Sequence, residues 1–143
     1  MQRQRGLTLL ELLVVLAIIG FAMAGVSLSL RDSNQTQLER EAQRLVAVLE
    51  AARAQSRTSG VASIWQPTPE GFAIRSPLAA RTETWLSVGT QAVVSNTNLV
   101  VLGPEPILAP ARITLSVATA NSAQPAPTLS IGTDGLRPFQ VVP

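Results

Sequence analysis

Residues 7–30 read LTLLELLVVLAIIGFAMAGVSLSL, 24 residues whose only charge is Glu11. As a helix at 1.5 Å per residue this stretch covers about 36 Å, enough to cross a hydrocarbon core of about 30 Å. A soluble domain's helix buries one face and keeps the other polar; this one is apolar all round. Arg3 and Arg5 stand just before it, and the next basic residue is Arg31. The positive-inside bias therefore predicts a single span, with the short N-terminus cytoplasmic and the long C-terminal part exported.

Glu11 needs its own explanation, because a charged carboxylate at mid-membrane costs on the order of 2.5–3.5 kcal/mol. An ordinary secretory signal, with a basic start, an apolar run and a small-residue cleavage site at Ala22-Met23-Ala24, would release a soluble domain beginning at Gly25. That route leaves the carboxylate without a role.

Residues 6–12, GLTLLEL, resemble the type IV pilin-like signal: a short basic leader, Gly, a large apolar residue, and Glu five positions after the Gly. The resemblance implies that a prepilin peptidase cuts between Gly6 and Leu7 and methylates the new amine, while the apolar segment is retained. Arg3 and Arg5 supply the leader's charge. Leu7 stands where that family usually has Phe. Glu11 becomes the fifth residue of the mature chain, about 6 Å along the axis from the Leu7 amine. Amine and carboxylate staggered between neighbouring subunits neutralise each other in low dielectric, so a subunit out of register leaves both unpaired. Glu11 is thus the candidate register residue for assembly.

Beyond Arg31 the texture changes. All ten prolines lie from Pro67 onward, so a helix can run unbroken from Leu7 to Thr58, 52 residues or about 78 Å. Leu38, Ala42, Leu45, Leu49, Ala52 and Ser56 recur at spacings of 4, 3, 4, 3 and 4, one stripe of an amphipathic helix. Glu41 with Arg44, and Glu50 with Arg53, are placed to pair at i,i+3 on the solvated face. Gly20, Gly25 and Asp32-Ser33-Asn34 are candidate weak points, and Gly60 a candidate stop.

From residue 61 short β runs are expected at 61–66, 72–75, 84–88, 99–102, 112–117, 128–131 and 139–142, with turns at 67–71, Gly103-Pro104 and Asp134-Gly135. The segment 118–127, ATANSAQPAP, reads as a loop. The fold class is α+β, a long N-terminal helix with a transmembrane and an amphipathic half, followed by an antiparallel β-sheet or sandwich domain. Four segments result: leader 1–6, assembly helix 7–30, amphipathic helix 31–59 and periplasmic β domain 60–143.

This order is similar to that of pilins and pseudopilins. Within that superfamily the chain most resembles the H-type minor pseudopilin of type II secretion, through GLTLLELLVVLAIIG, the 38–60 helix, the Trp65 to Gly71-Phe72 strand-turn-strand and the late IGTDGLRPFQV. The resemblance implies a single-pass protein of the bacterial inner membrane that supports export across the outer membrane. Its implied partners are other major and minor pseudopilins, prepilin peptidase, the inner-membrane secretion platform and inner-membrane lipid. A minor type IV pilin, serving pilus assembly or DNA uptake, is the alternative. The chain departs from major pseudopilins in lacking a cysteine pair and an acidic C-terminal cluster for calcium.

Composition narrows the chemistry. There is no Cys and no His, so disulfides, thiolate metal sites and His-based catalysis are excluded. Glu70, Glu83, Glu105 and Asp134 are isolated in sequence, no phosphate loop is present, and Trp65 and Trp85 read as core. No enzyme, cofactor or metal is expected. From residue 60 onward Arg75, Arg81, Arg112 and Arg137 match those four acids, which argues against nucleic acid. The formal charge of +2 resides in the leader: without Arg3 and Arg5, nine arginines face nine acids.

Overall fold

The computed structural model describes residues 9–118 and 125–142. The chain divides into two compact units, Met1–Ser33 and Asn34–Pro143. Helix α1 (Leu9–Ser59) contributes to both, and the division falls within the Asp32-Ser33-Asn34 stretch, where three poor helix formers adjoin.

In the second unit the stripe read from the sequence is the buried face. Leu38, Ala42, Leu45, Leu49, Ala52 and Ser56 are all at most 2% exposed. Burying a Leu or Ile side chain stabilises by roughly 1.5–3 kcal/mol, so tertiary packing outweighs helix propensity in holding this segment. The helix stops because Gly60 takes a left-handed φ of 70°, and its N–H donates to the Ser56 carbonyl at 2.9 Å.

Eight strands follow: β1 (Ser63–Thr68), β2 (Gly71–Arg75), β3 (Ala80–Thr84), β4 (Thr90–Val94), β5 (Val100–Leu102), β6 (Ala111–Val117), β7 (Thr128–Thr133) and β8 (Gln140–Val142). They form two four-stranded sheets with orders β3-β2-β1-β5 and β4-β6-β7-β8, every pairing antiparallel. Alternate residues face inward: Trp65 on β1, Phe72 and Ile74 on β2, Ile113, Leu115 and Val117 on β6, Ile131 on β7. With the helix stripe they make one core. Its aromatic centre stacks Trp65, Phe72 and Trp85 in tilted contacts, with centroids 6.0 and 5.3 Å apart. The α+β class expected from the sequence is the fold observed.

Two strand assignments require correction. The apolar run 84–88 is not a strand: β3 ends at Thr84, and residues 85–87 form a bend that drops Trp85 into the core. The strand itself is the polar segment Ala80-Arg-Thr-Glu-Thr84, polar because it is the outer strand of its sheet. Its Arg81 and Glu83 pair with Ile74 and Phe72, so both charged residues stand on the core-facing side. Strand β4, Thr90–Val94, is an addition to the expected set. The expected loop 118–127 lies mostly outside the described residues.

Candidate assembly site

The first unit offers a helix with no buried side chain among residues 9–25. Leu10 is 72% exposed, Leu16 62%, Ile18 62% and Phe21 80%, so the apolar surface runs round the helix. A surface of this kind requires a cover, either lipid or the like helices of neighbouring chains. Glu11, also exposed, is the single charged residue among 9–25. Arg3, Arg5, Gly6 and Leu7, the expected leader charge and processing site, lie outside the described residues. Among the described residues no helix is long and apolar enough to cross a membrane. The apolar run expected to do so, residues 7–30, extends past the described side chains at both ends.

The second unit shows how a folded domain is fixed to a helix. Glu41 is 1% exposed and Arg53 2%. This overturns the expectation that Glu41, Arg44, Glu50 and Arg53 occupy a solvated face. The two i,i+3 pairs do form, at 3.7 Å for Glu41–Arg44 and 3.9 Å for Glu50–Arg53, but they face the β domain. Glu41 Oε1 accepts hydrogen bonds from the backbone amides of Leu86 and Ser87, the latter at 3.2 Å. Arg44 donates to Glu83 Oε2 at 2.8 Å and to the Thr84 carbonyl at 2.9 Å, and its guanidinium lies 5.7 Å from the Phe72 ring centroid. One turn of helix thus holds the whole β3–β4 bend.

Glu50 and Arg53 perform the same service on other loops. The Phe139 amide donates to Glu50 Oε1 at 2.8 Å. Arg53 donates to the carbonyls of Pro106 and Gly135 at 3.2 Å and of Arg137 at 3.4 Å, gathering the β5–β6 and β7–β8 connections. Burying these charges is affordable only because each is paired and hydrogen-bonded. The sequence carried a signal for this placement. Glu41 lies four residues before Leu45 and Arg53 four after Leu49, so both border the buried stripe.

The isolated acids remain apart. Glu83 is taken by Arg44 and, at 3.6 Å, by Arg81. Asp134 closes the β7–β8 turn: the amides of Arg137 and Leu136 donate to its Oδ1 and hold its carboxyl below the ordinary value of 3.8. Gly135 beside it has a φ of 92°, and a Cβ there would run into the Leu108 carbonyl. Among the described residues no three acids gather to hold a metal ion.

Comparison with known proteins gives two findings. Residues 1–27 match the family described as the prokaryotic N-terminal methylation motif. The chain's structure is similar to the crystal structure of the type IV minor pilin FimU of Pseudomonas aeruginosa, strain PAO1, with a TM-score of 0.56 and 14% identity. That likeness covers 76% of this chain and 90% of FimU. No curated protein matches the chain in sequence. The motif lies at one end of the chain, and the likeness over most of its length is one of fold.

Proposed function

We propose that the chain is a minor structural subunit of a type IV pilin-like filament, the pseudopilus of a type II secretion system. The observation that carries this reading is the helix over residues 9–25, apolar and exposed on all sides, interrupted by Glu11 alone and lying within a methylation motif. In this reading prepilin peptidase removes residues 1–6 and methylates Leu7. The helix is held in the inner membrane with its N-terminus cytoplasmic until it joins other pseudopilins. The folded unit lies in the periplasm, and Glu11 meets a neighbour's amine. The chain works mechanically, as part of a filament engaged with the inner-membrane platform, and catalyses nothing.

Intact-mass measurement of the protein recovered from its host tests this. A mature chain beginning at Leu7 and carrying one methyl group is expected; a chain beginning at Gly25 would overturn the proposal.

The fold likeness to FimU favours a second reading, a minor subunit of a type IV pilus. The two part on the phenotype of a deletion. Loss of protein secretion with surface pili intact supports the pseudopilus, and loss of pili with secretion intact supports the pilus.

A further inference from the structure

The β3–β4 bend holds two bare apolar side chains at one end of the second unit. Val88 is wholly exposed and Leu86 is 66% exposed, with only Ser87 between them. The place of this bend along α1 follows from the strand directions. Strand β1 starts beside the end of the helix, where Ser56 Oγ donates to Ser63 Oγ at 3.1 Å, and runs back to Thr68. Strand β2 returns, and β3 runs back again, with Ala80 beside Arg75 and Thr84 beside Gly71. Arg44 donates to the Thr84 carbonyl, and Glu41, three residues nearer Asn34, accepts from the Leu86 and Ser87 amides. The chain is therefore heading for the Asn34 end of α1 when it reaches Leu86, and it reverses through Val88 and Gly89 into β4.

This bend is fixed as well as exposed. Besides the two amides held by the buried Glu41 carboxylate, the Thr90 amide donates to the Ser87 carbonyl at 3.3 Å and the Ala118 amide to the Gly89 carbonyl at 3.0 Å. Gly89 makes the reversal with a left-handed φ of 83°. Trp85 is turned into the core while Leu86 and Val88 are held out of it, and apolar groups held so stay in water unless an outside surface covers them.

Chain length sets what lies within reach. Leu30 closes the apolar run, and the second unit begins four residues later at Asn34. Four residues span at most about 14 Å whatever path they take. The headgroup layer of a bilayer is itself about 5–8 Å deep on each side. With residues 7–30 in the inner membrane, the Asn34 end is tethered at the lipid surface. Glu41, which holds the bend, stands about 10 Å from Asn34 along the helix, and about 18 Å nearer to it than Arg53, which holds the loop of the equally exposed Leu136. Charge fits the same surface. Glu70, whose carbonyl accepts the Trp85 amide, and Arg40, next to Glu41, are both exposed and enter none of the described ion pairs. A carboxylate and a guanidinium at one level complement the amine and phosphate of a zwitterionic headgroup.

We propose that, before assembly, the Leu86–Val88 bend rests in the headgroup layer of a membrane rich in phosphatidylethanolamine and holds the β unit against the surface that its anchor enters. The inference rests on the membrane-anchored reading above and adds a second contact to it.

The chain has no cysteine, so a single nitroxide label can be placed at will. Val88→Cys and, as the control at the far end, Leu136→Cys are made in the full chain, labelled, and reconstituted at high lipid-to-protein ratio in phosphatidylethanolamine–phosphatidylcholine vesicles. Collision of the label with oxygen, which concentrates in lipid, is compared with collision with a water-soluble nickel chelate. The oxygen-to-nickel ratio at position 88 is expected to exceed that at 136 by about threefold, and Leu86→Ser to lower it at least halfway to the control, since interfacial binding scales with buried apolar area. A ratio at 88 equal to that at 136 overturns the proposal. So does shielding from both reagents, which marks cover by another protein chain. A protein that begins at Leu7 in its host yet gives either result sinks the lipid contact alone, whereas one beginning at Gly25 sinks the anchor and this contact with it.

Discussion

Arg53 shows what a buried charge accomplishes in a small β-rich unit. Its guanidinium reaches three carbonyls on two loops that are far apart in sequence, a span that a planar fork with five donors can cover and a single ammonium cannot. Arg53→Met leaves those carbonyls and Glu50 without their cation and should lower stability by about 3–5 kcal/mol, the cost of breaking a buried charged network. Arg53→Lys is expected to recover less than half of the loss. Thermal unfolding of the full chain in detergent checks both, and an Arg53→Met protein as stable as the parent would show that the loops hold themselves. Residue types in this network were legible in the sequence, and so was the i,i+3 spacing. Which way the pairs face was not, because a charged residue at a stripe's border turns inward only when loops present it with amides and carbonyls, and those loops come from residues 83–87, 106 and 135–139.

At the scale of the element, α1 is two helices by chemistry and one by hydrogen bonding. Its second half is held by the Leu38–Ser56 face, so Leu45→Ala should cost about 2–5 kcal/mol through lost burial and the cavity left behind. Leu16→Ala, on the exposed first half, should leave the unfolding of the β unit unchanged. Hydrogen exchange on the full chain in micelles separates the two: amides of 38–56 and of β6 lose protection together in Leu45→Ala, and neither changes in Leu16→Ala. Equal effects of both substitutions would mean that the stripe does not organise the domain. The stripe itself was readable from its spacing, since apolar residues recurring with a period near 3.6 line up on one face of a helix and on no face of a strand. The strands were less so. The run Trp85-Leu86-Ser87-Val88 has strand composition, yet its Leu86 and Ser87 amides donate to Glu41, its Trp85 amide to the Glu70 carbonyl, and its Trp is needed in the core. The true strand beside it is polar because one of its edges has no strand partner. The division into two sheets depends on which strands pair at long range, and local pattern does not encode that.

For the whole molecule, the two units divide the labour, one presenting an uncovered apolar helix and the other a closed core. Substitution of Glu11 should therefore act on assembly and not on folding. On the proposed filament reading, Glu11→Ala is expected to leave processing to a methylated Leu7 and the melting of the β unit as they are, while co-purification with other subunits falls at least tenfold, the effect of leaving an amine unpaired in low dielectric. Undiminished co-assembly would remove the register role. The processing motif is confined to consecutive residues and so was visible in the sequence.

Strand β3 has a consequence for this division of labour. An outer strand with a free row of amides and carbonyls invites templated growth, in which foreign chains add themselves rung by rung. Here Arg81 and Glu83 occupy the inward side of that strand, and Glu83 is gripped by Arg44 of the helix. A chain adding itself there would meet a half-solvated ion cluster in place of a greasy sheet margin, a known deterrent to amyloid-like accretion. On the filament reading proposed above, a subunit that polymerises through its helix is thereby guarded against polymerising through its sheet.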